Sequence, residues 1–300
     1  MPVRNRAAVV GRAIRSVLAQ EHADFELIVV DDASTDDSAE VAASFPDRRI
    51  AVHRLEEVAG PAGARNIGIT LATSDYLAFL DSDDEWSPRH LASAMAVYKS
   101  GTETDLTYGR MRTRGLVRSP GSPMKSLGAS PEEVFNTLCG GNRIGLPTVT
   151  MRRSCAEAVN GFDDSLWTLE DWDLLLRLAY QGFRFTFVDE VVLEVTESPD
   201  GVNRLSQRTI GTVERIRQKY ELTRLSEATR SKLEGQLYYL EGSARLLTGD
   251  VSGARKSLRI AMQRDPLRAK LLLAFLASLA GPSTYVVARK SLARLQRRKL

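Results

Sequence analysis

The sequence predicts an α/β fold, with a mostly parallel sheet flanked by helices over residues 1–202 and an all-α segment over residues 203–300. Three observations lead there. Strand-like and helix-like runs alternate through the first part, as they do when helices return the chain between parallel strands. Two apolar runs end in clustered carboxylates, at Asp31-Asp32 and from Asp81 to Glu85, and ligands bind beyond the carboxyl ends of strands in open α/β sheets. After Asn203 the pattern turns entirely helical.

The elements follow in order. Ala7 to Ala19 gathers Val9, Val10, Ala13, Ile14, Val17 and Leu18 on one helical face. Phe25 to Val30 is short and apolar, the mark of a buried strand. Ser34 or Thr35 caps a helix reaching Phe45, and Ile50 to Leu55 alternates as a strand does. Gly60 and Pro61 punctuate the chain before a helix from Ala62 to Leu71. Tyr76 to Leu80 reads as another buried strand, Pro88 opens a helix to Lys99, and Leu106 to Met111 is a further strand. Thr113 to Ser130, rich in Gly, Pro, Ser and Arg, predicts a mobile loop. Val149 to Arg152 reads as a strand, Cys155 to Val159 and Asp171 to Gln181 as helices, and Phe183 to Val188 and Val191 to Val195 as strands.

In the helical segment, Tyr238, Gly242, Gly249, Asp250, Ala254, Leu258, Ala261 and Pro266 are spaced as in one tetratricopeptide-like unit over residues 235–268. Small residues there let two helices approach closely, and Pro266 ends the second. An ordinary helical hairpin fits the same spacing.

Composition narrows the class. With 43% hydrophobic and 26% charged residues the chain is neither disordered nor fibrous. Residues 1–200 hold 20 basic and 31 acidic side chains, whereas residues 201–300 hold 21 basic and 7 acidic. Such a basic half suits an anionic partner or a solvated helix surface. Residues 289–300 carry six basic side chains, with Leu292 and Leu295 on one face, so residues 283–300 suit peripheral contact with an anionic membrane. Leu271 to Ala280 is shorter than the roughly 20 apolar residues a bilayer span needs. Arg4 and Arg6 lead into an amphipathic pattern and not into a secretory signal. Cys139 and Cys155 lack metal-ligand spacing, which fits a reducing, cytoplasmic compartment. His22, His53 and His90 are isolated and read as structural or surface residues.

Three carboxylate clusters carry the chemistry. Asp31 and Asp32 follow a buried strand and would repel each other unless donors face them; a nucleotide base or ribose supplies such donors, and so does a helix N-terminus. Asp81-Ser82-Asp83-Asp84-Glu85 sets four carboxylates in five residues after an apolar strand. A hard divalent cation, Mg²⁺ or Mn²⁺, would stabilise them and would share its shell with phosphates; an exposed acidic turn is the other reading. Glu170-Asp171-Trp172-Asp173 opens a helix, where a carboxylate is a helix cap or a general base.

Together with Pro2-Val3-Arg4-Asn5-Arg6, Gly60-Pro61-Ala62-Gly63-Ala64-Arg65-Asn66-Ile67-Gly68 and Gly161-Phe162-Asp163, these clusters resemble the inverting family 2 glycosyltransferases of GT-A (Rossmann-like) fold, in that family's order and over residues 1–195. The resemblance implies that Asp32 contacts the base or ribose beside Pro2, Asn5 and Asp31. It makes Asp83 the principal metal ligand, with Asp81 assisting near the donor sugar or ribose, and places Arg65 and Asn66 around the donor pocket. Asp171 would deprotonate the acceptor hydroxyl, with Glu170 and Trp172 in the acceptor region. A nucleotide-sugar donor, most simply a UDP-sugar, and a glycan or lipid-linked acceptor are the implied partners; nucleic acid is not. No Gln-x-x-Arg-Trp element follows Asp171, which favours single-sugar addition. The rival readings are a nonenzymatic interaction protein acting through the helical segment and a nucleotidyltransferase of related fold. The family normally sets an apolar strand of about five residues ahead of Pro2, so we expect either a start upstream of Met1 or a poorly formed region there, with a gap in the core.

Overall fold

The computed structural model describes residues 1–113, 126–196, 207–219, 225–266, 269–279, 281 and 285. The chain divides into two compact units, one of residues 1–135, 143–166 and 173–197 and one of residues 136–142, 167–172 and 198–300.

The chain opens with β1 (Pro2–Val3), α1 (Val10–Leu18), β2 (Leu27–Asp31), α2 (Ser38–Ala43) and β3 (Ile50–Arg54). The three strands form a parallel sheet in the order β1-β2-β3. On α1, Val10, Ala13, Ile14 and Val17 are buried, joining Val3, Val29 and Leu80 in the core. Next come α3 (Gly60–Leu71), β4 (Tyr76–Ala78), β5 (Glu85–Trp86), α4 (His90–Lys99) and β6 (Leu106–Thr113). After α5 (Pro131–Cys139) and a 3₁₀ turn at Leu146–Thr148 lie β7 (Thr150–Arg152), α6 (Arg153–Ala158), α7 (Glu170–Tyr180) and β8 (Phe185–Val195). These later strands form a second sheet, ordered β4-β7-β6-β8-β5. Only β6 and β8 pair in parallel there.

Several elements differ from expectation for local reasons. The two strands expected at 183–188 and 191–195 are one, because β8 shifts register opposite Gly109 and Arg110 instead of breaking. Gly109 permits this, since a Cβ there would lie 2.6 Å from Val192. Helix α5 starts beyond the expected loop, of which residues 114–125 lie outside the described residues. Its start is a reciprocal cap: Glu133 N–H donates to Ser130 Oγ at 3.2 Å and Ser130 N–H to Glu133 Oε2 at 3.3 Å. His90 is the structural histidine expected, stacked on Trp86 at 4.4 Å. Burial pulls its imidazole down to about 3. Both cysteines are free and buried, and desolvation pushes Cys139 up to about 12 and Cys155 up to about 11.

Of the two expectations for the start of the chain, a poorly formed region is not what the structure has. Pro2 and Val3 pair with Val30 and Asp31, and the Met1 amine donates to Ile28 O at 2.8 Å. β2 and β4 do not pair, and a cavity of about 400 Å³ lies where they face each other, lined by Phe25, Ile28, Ala64, Gly68, Tyr76 and Leu77. Loss of hydration lowers the buried Met1 amine to about 5, with Arg65 adding to the effect and Asp81 opposing it.

In the second unit, α8 (Gln207–Lys219) precedes α9 (Glu227–Leu247), α10 (Val251–Arg264) and α11 (Ala269–Leu279). α9 and α10 form the hairpin expected over 235–268. Gly249 takes φ +91° in the turn, and Asp250 caps α10 by accepting from Gly253 N–H at 2.8 Å. Gly242 lets the helices close up, because a Cβ there would lie 2.7 Å from Leu258. On α11, Leu272, Leu273, Leu276 and Leu279 are exposed. Among the described residues no helix is long and apolar enough to cross a membrane. Except for Tyr285, residues 283–300 lie outside the described residues.

The Met1 amine makes stability pH-dependent. A base whose folded pKa is below its unfolded value leaves the folded state with fewer protons between about 5 and 8. Stability should therefore be full above pH 8 and fall as pH drops through that window. Urea midpoints at pH 5 and pH 8 measure this. A short Gly-Ser extension ahead of Met1 turns the amine into an amide, and should remove this fall between pH 8 and pH 5.

Candidate active site

Within the first unit the predicted donor-side residues gather beyond the ends of β1, β2 and β4. Asp31 ends β2 and is fully buried. Its Oδ2 accepts from Ser34 N–H at 3.2 Å and lies 3.7 Å from Arg54 Nε, whereas its Oδ1 has no hydrogen-bond partner among the described residues. Asp32 turns toward the start of α3, accepting from Ala59 N–H at 2.6 Å and Gly60 N–H at 3.1 Å. Those amides at a helix start lack carbonyl partners of their own, and the carboxylate supplies the acceptor. Arg4 donates to Asp32 O at 2.9 Å.

Asn5 ties the end of β1 to the turn after β2. Its Oδ1 accepts from Thr35 N–H at 2.8 Å and its own N–H donates to Ser34 Oγ at 3.0 Å. Asn5 and Ala33 both hold φ +51°, a left-handed conformation that strains a residue bearing a Cβ and concentrates at functional sites. Pro2 lies in β1, opposite Val30.

The acidic run after β4 is organised by α3. Arg65, nearly buried, donates to Asp81 Oδ1 at 2.7 Å, and its guanidinium lies 5.5 Å over the Phe162 ring. Asn66 spends its amide on the same aromatic residue: Nδ2 donates to Phe162 O and Oδ1 accepts from Phe162 N–H, both at 2.8 Å. Gly161 holds φ +64°, and a Cβ there would meet Asn66 Oδ1 at 2.5 Å. Arg177 fastens this turn from below, donating to Gly161 O at 2.8 Å and to Asp173 Oδ2 at 2.8 Å.

Asp83 is only partly buried, and its carboxylate makes no hydrogen bond or ion pair among the described residues. Asp81 has one oxygen engaged by Arg65, leaving Oδ2 available. Among the described residues no three His, Cys, Asp or Glu side chains converge to hold a metal alone. This donor set fits Mg²⁺ or Mn²⁺, which take one or two carboxylates and complete the shell with phosphate and water.

Asp171 belongs to the second unit. It lies in the first turn of α7, where Asn142 Nδ2 donates to its Oδ2 at 2.8 Å and Trp172 N–H to its Oδ1 at 2.7 Å. Trp172 is 1% exposed, with its indole N–H on Leu138 O at 2.9 Å, so it packs behind Asp171 instead of presenting its ring to a ligand. Glu170 is also buried, at 9%. Leu169, just ahead, holds φ +61°. Asn142 escaped sequence reasoning, because nothing local ties the Gly140-Gly141-Asn142 turn to a carboxylate 29 residues away.

Comparison with known proteins identifies the family. The model of the family described as glycosyl transferase family 2 matches residues 1–152. An uncharacterized glycosyltransferase of Nostoc sp. is 31% identical over 190 residues, 59% of this chain and 58% of its own. The amylovoran biosynthesis glycosyltransferase AmsB of Erwinia amylovora is 29% identical, over 63% of this chain and 65% of its own. The putative colanic acid biosynthesis glycosyl transferase WcaA of Escherichia coli is 26% identical, over 78% and 88%. The chain thus spans less than two thirds of the Nostoc and Erwinia relatives. Among solved structures, TarS 1–349 of S. aureus in complex with UDP-GlcNAc has a TM-score of 0.64 at 18% identity, covering 98% of this chain and 90% of that one. The mannosyltransferase PcManGT of Pyrobaculum calidifontis in complex with GDP-Man and Mn²⁺ has a TM-score of 0.60 at 19% identity, covering 99% and 84%. At such identities these likenesses establish the shared fold. By the match over its first half, the chain belongs to glycosyl transferase family 2.

Proposed function

We propose that the chain is a metal-dependent, inverting glycosyltransferase that moves one sugar from a nucleotide-sugar donor to a hydroxyl of a glycan or lipid-linked acceptor, in surface polysaccharide or glycoconjugate synthesis. The observation that carries this reading is the pair beyond β4: Asp83, whose partly exposed carboxylate has no partner among the described residues, beside Asp81 braced by Arg65. Carboxylate oxygens left open in this way are the ligands a hard divalent cation prefers. The names of AmsB and WcaA support the cellular role. The UDP-GlcNAc in TarS and the GDP-Man and Mn²⁺ in PcManGT support the donor class and the metal, with a UDP-sugar as the simplest donor.

In this reading Asp83, and Oδ2 of Asp81, hold the metal. When bound, the metal neutralises charge building on the leaving diphosphate. Pro2, Asn5, Asp31 and Asp32 frame the nucleotide, with Asp31 and Asp32 acting mainly by fixing the turn after β2 and the start of α3. Arg65 orients Asp81. Asn66 acts one step further back, seating Phe162 under the Arg65 guanidinium. Asp171, oriented by Asn142, takes the acceptor hydroxyl's proton as that oxygen attacks the anomeric carbon in line with the departing diphosphate, which inverts the configuration. The site works from the cytoplasm, and residues 283–300 bring the protein to the anionic inner face of the cell membrane. The exposed leucines of α11 and the six basic residues within 289–300 support that contact.

Screening UDP- and GDP-sugars for hydrolysis with and without Mn²⁺ tests the reading. Asp83→Ala should abolish metal-dependent donor binding by calorimetry. Asp171→Asn should bind donor as before yet transfer no sugar; retained transfer would remove Asp171 from the base role. Asn66→Ala leaves two backbone groups of Phe162 unpaired and should cost about 2 kcal/mol in urea denaturation. It should also raise the Mn²⁺ concentration giving half-maximal activity, and an unchanged Mn²⁺ requirement would cut the link from Asn66 to Asp81. Deleting residues 283–300 should release the protein from phosphatidylglycerol vesicles, and unchanged binding would refute the membrane role.

A further inference from the structure

The segment that bears Asp171 is held by the helical extension. Residues 136–142 and 167–172 pack with residues 198–300 as one compact unit. On one flank, Thr168 Oγ1 lies 3.4 Å from Thr209 Oγ1 and 3.3 Å from Thr212 Oγ1, both on α8. Those two threonines are 0% and 3% exposed, and hydroxyls so buried need partners. The Arg208 guanidinium also lies 4.3 Å over the Trp167 ring.

On the other flank, Gln236 of α9 backs the turn carrying Asn142. Gly141 holds φ +122°, and Gln236 Nε2 lies 3.2 Å from where a Cβ at 141 would stand. Asn142 then donates to Asp171 at 2.8 Å, and the Trp172 indole joins the two segments through Leu138 O at 2.9 Å. Between the flanks sits Leu169 at φ +61°. A leucine persists in that strained conformation only where its surroundings over-determine it.

We infer that the helical extension positions the proposed base: Thr209 and Thr212 of α8, through Thr168, and Gln236 of α9, through Gly141 and Asn142, keep the Asp171 carboxylate in its working orientation. The inference rests on reading Asp171 as the base. A general base must lie within hydrogen-bond reach of its proton, and a displacement of about 1 Å costs on the order of a hundredfold in rate. The extension is therefore a positioning element of the transfer reaction, and its threonines and glutamine are positioning residues.

The test compares four full-length variants with the unaltered chain: the isosteric pair Thr209→Val/Thr212→Val, the conservative pair Thr209→Ser/Thr212→Ser, Asn142→Ala at an exposed position, and Asp171→Asn. Hydrogen exchange of the amides of residues 167–172 needs no ligand. It should quicken roughly tenfold in the valine pair and stay unchanged in the serine pair. Release of UDP from UDP-glucose, UDP-galactose or UDP-N-acetylglucosamine with Mn²⁺ should show kcat reduced about ten- to a hundredfold in the valine pair and in Asn142→Ala, with donor KM unchanged and activity kept by the serine pair. Unaltered kcat in both the valine pair and Asn142→Ala, alongside an inactive Asp171→Asn, would overturn the inference. So would unaltered exchange in the valine pair. If Asp171→Asn keeps full turnover, it is the base assignment that falls, and the exchange result then decides separately whether the extension holds the segment.

Discussion

Carboxylates concentrated at the ends of strands have to be met by hydrogen-bond donors, and the first unit is arranged around that need. Asp32 is met by the first amides of α3, Asp81 by Arg65 on the same helix, and one oxygen of Asp31 by the Ser34 amide with Arg54 nearby. One helix thus serves two of the three clusters, by its N-terminal dipole and by a side chain in its second turn. Asp83 is left without a hydrogen-bond or ion-pair partner among the described residues.

The same arrangement stores strain and leaves space. Asn5, Ala33 and Leu169, all in left-handed conformations without being glycine, flank the motifs that bear Asn5, Asp32 and Asp171. The glycine positions do the opposite: Gly161 and Gly242 occupy places where a Cβ would collide with Asn66 or Leu258. A cavity lies between β2 and β4, the two sheets stand as separate ladders, and the amine of Met1 donates to Ile28 O.

The helical part is more than a hairpin appended to a transferase domain. Its α9–α10 pair is a hairpin closed by Gly242 and capped by Asp250, but α8 and α9 also pack with the short segments around Asn142 and Asp171. Membership of a compact unit therefore does not follow the order of the chain, and residues that read as one domain in sequence contribute to both.

What the sequence determined by itself is whatever depends on short-range pattern. Apolar runs bounded by Gly, Pro and carboxylates placed β2, β3, β4 and β7 to within two or three residues, and the motifs around Asp32, Arg65, Asp83 and Asp171 were enough to name the family. Tertiary structure decided what depends on pairing across distance. It made β6 and β8 a parallel pair with a register shift, gave Asn66 to Phe162 across 96 positions, turned Trp172 into core, and brought Asn142 to Asp171. The reason is that periodicity encodes which face of an element is apolar, whereas a hydrogen bond between distant side chains is selected only once the backbone has closed around it.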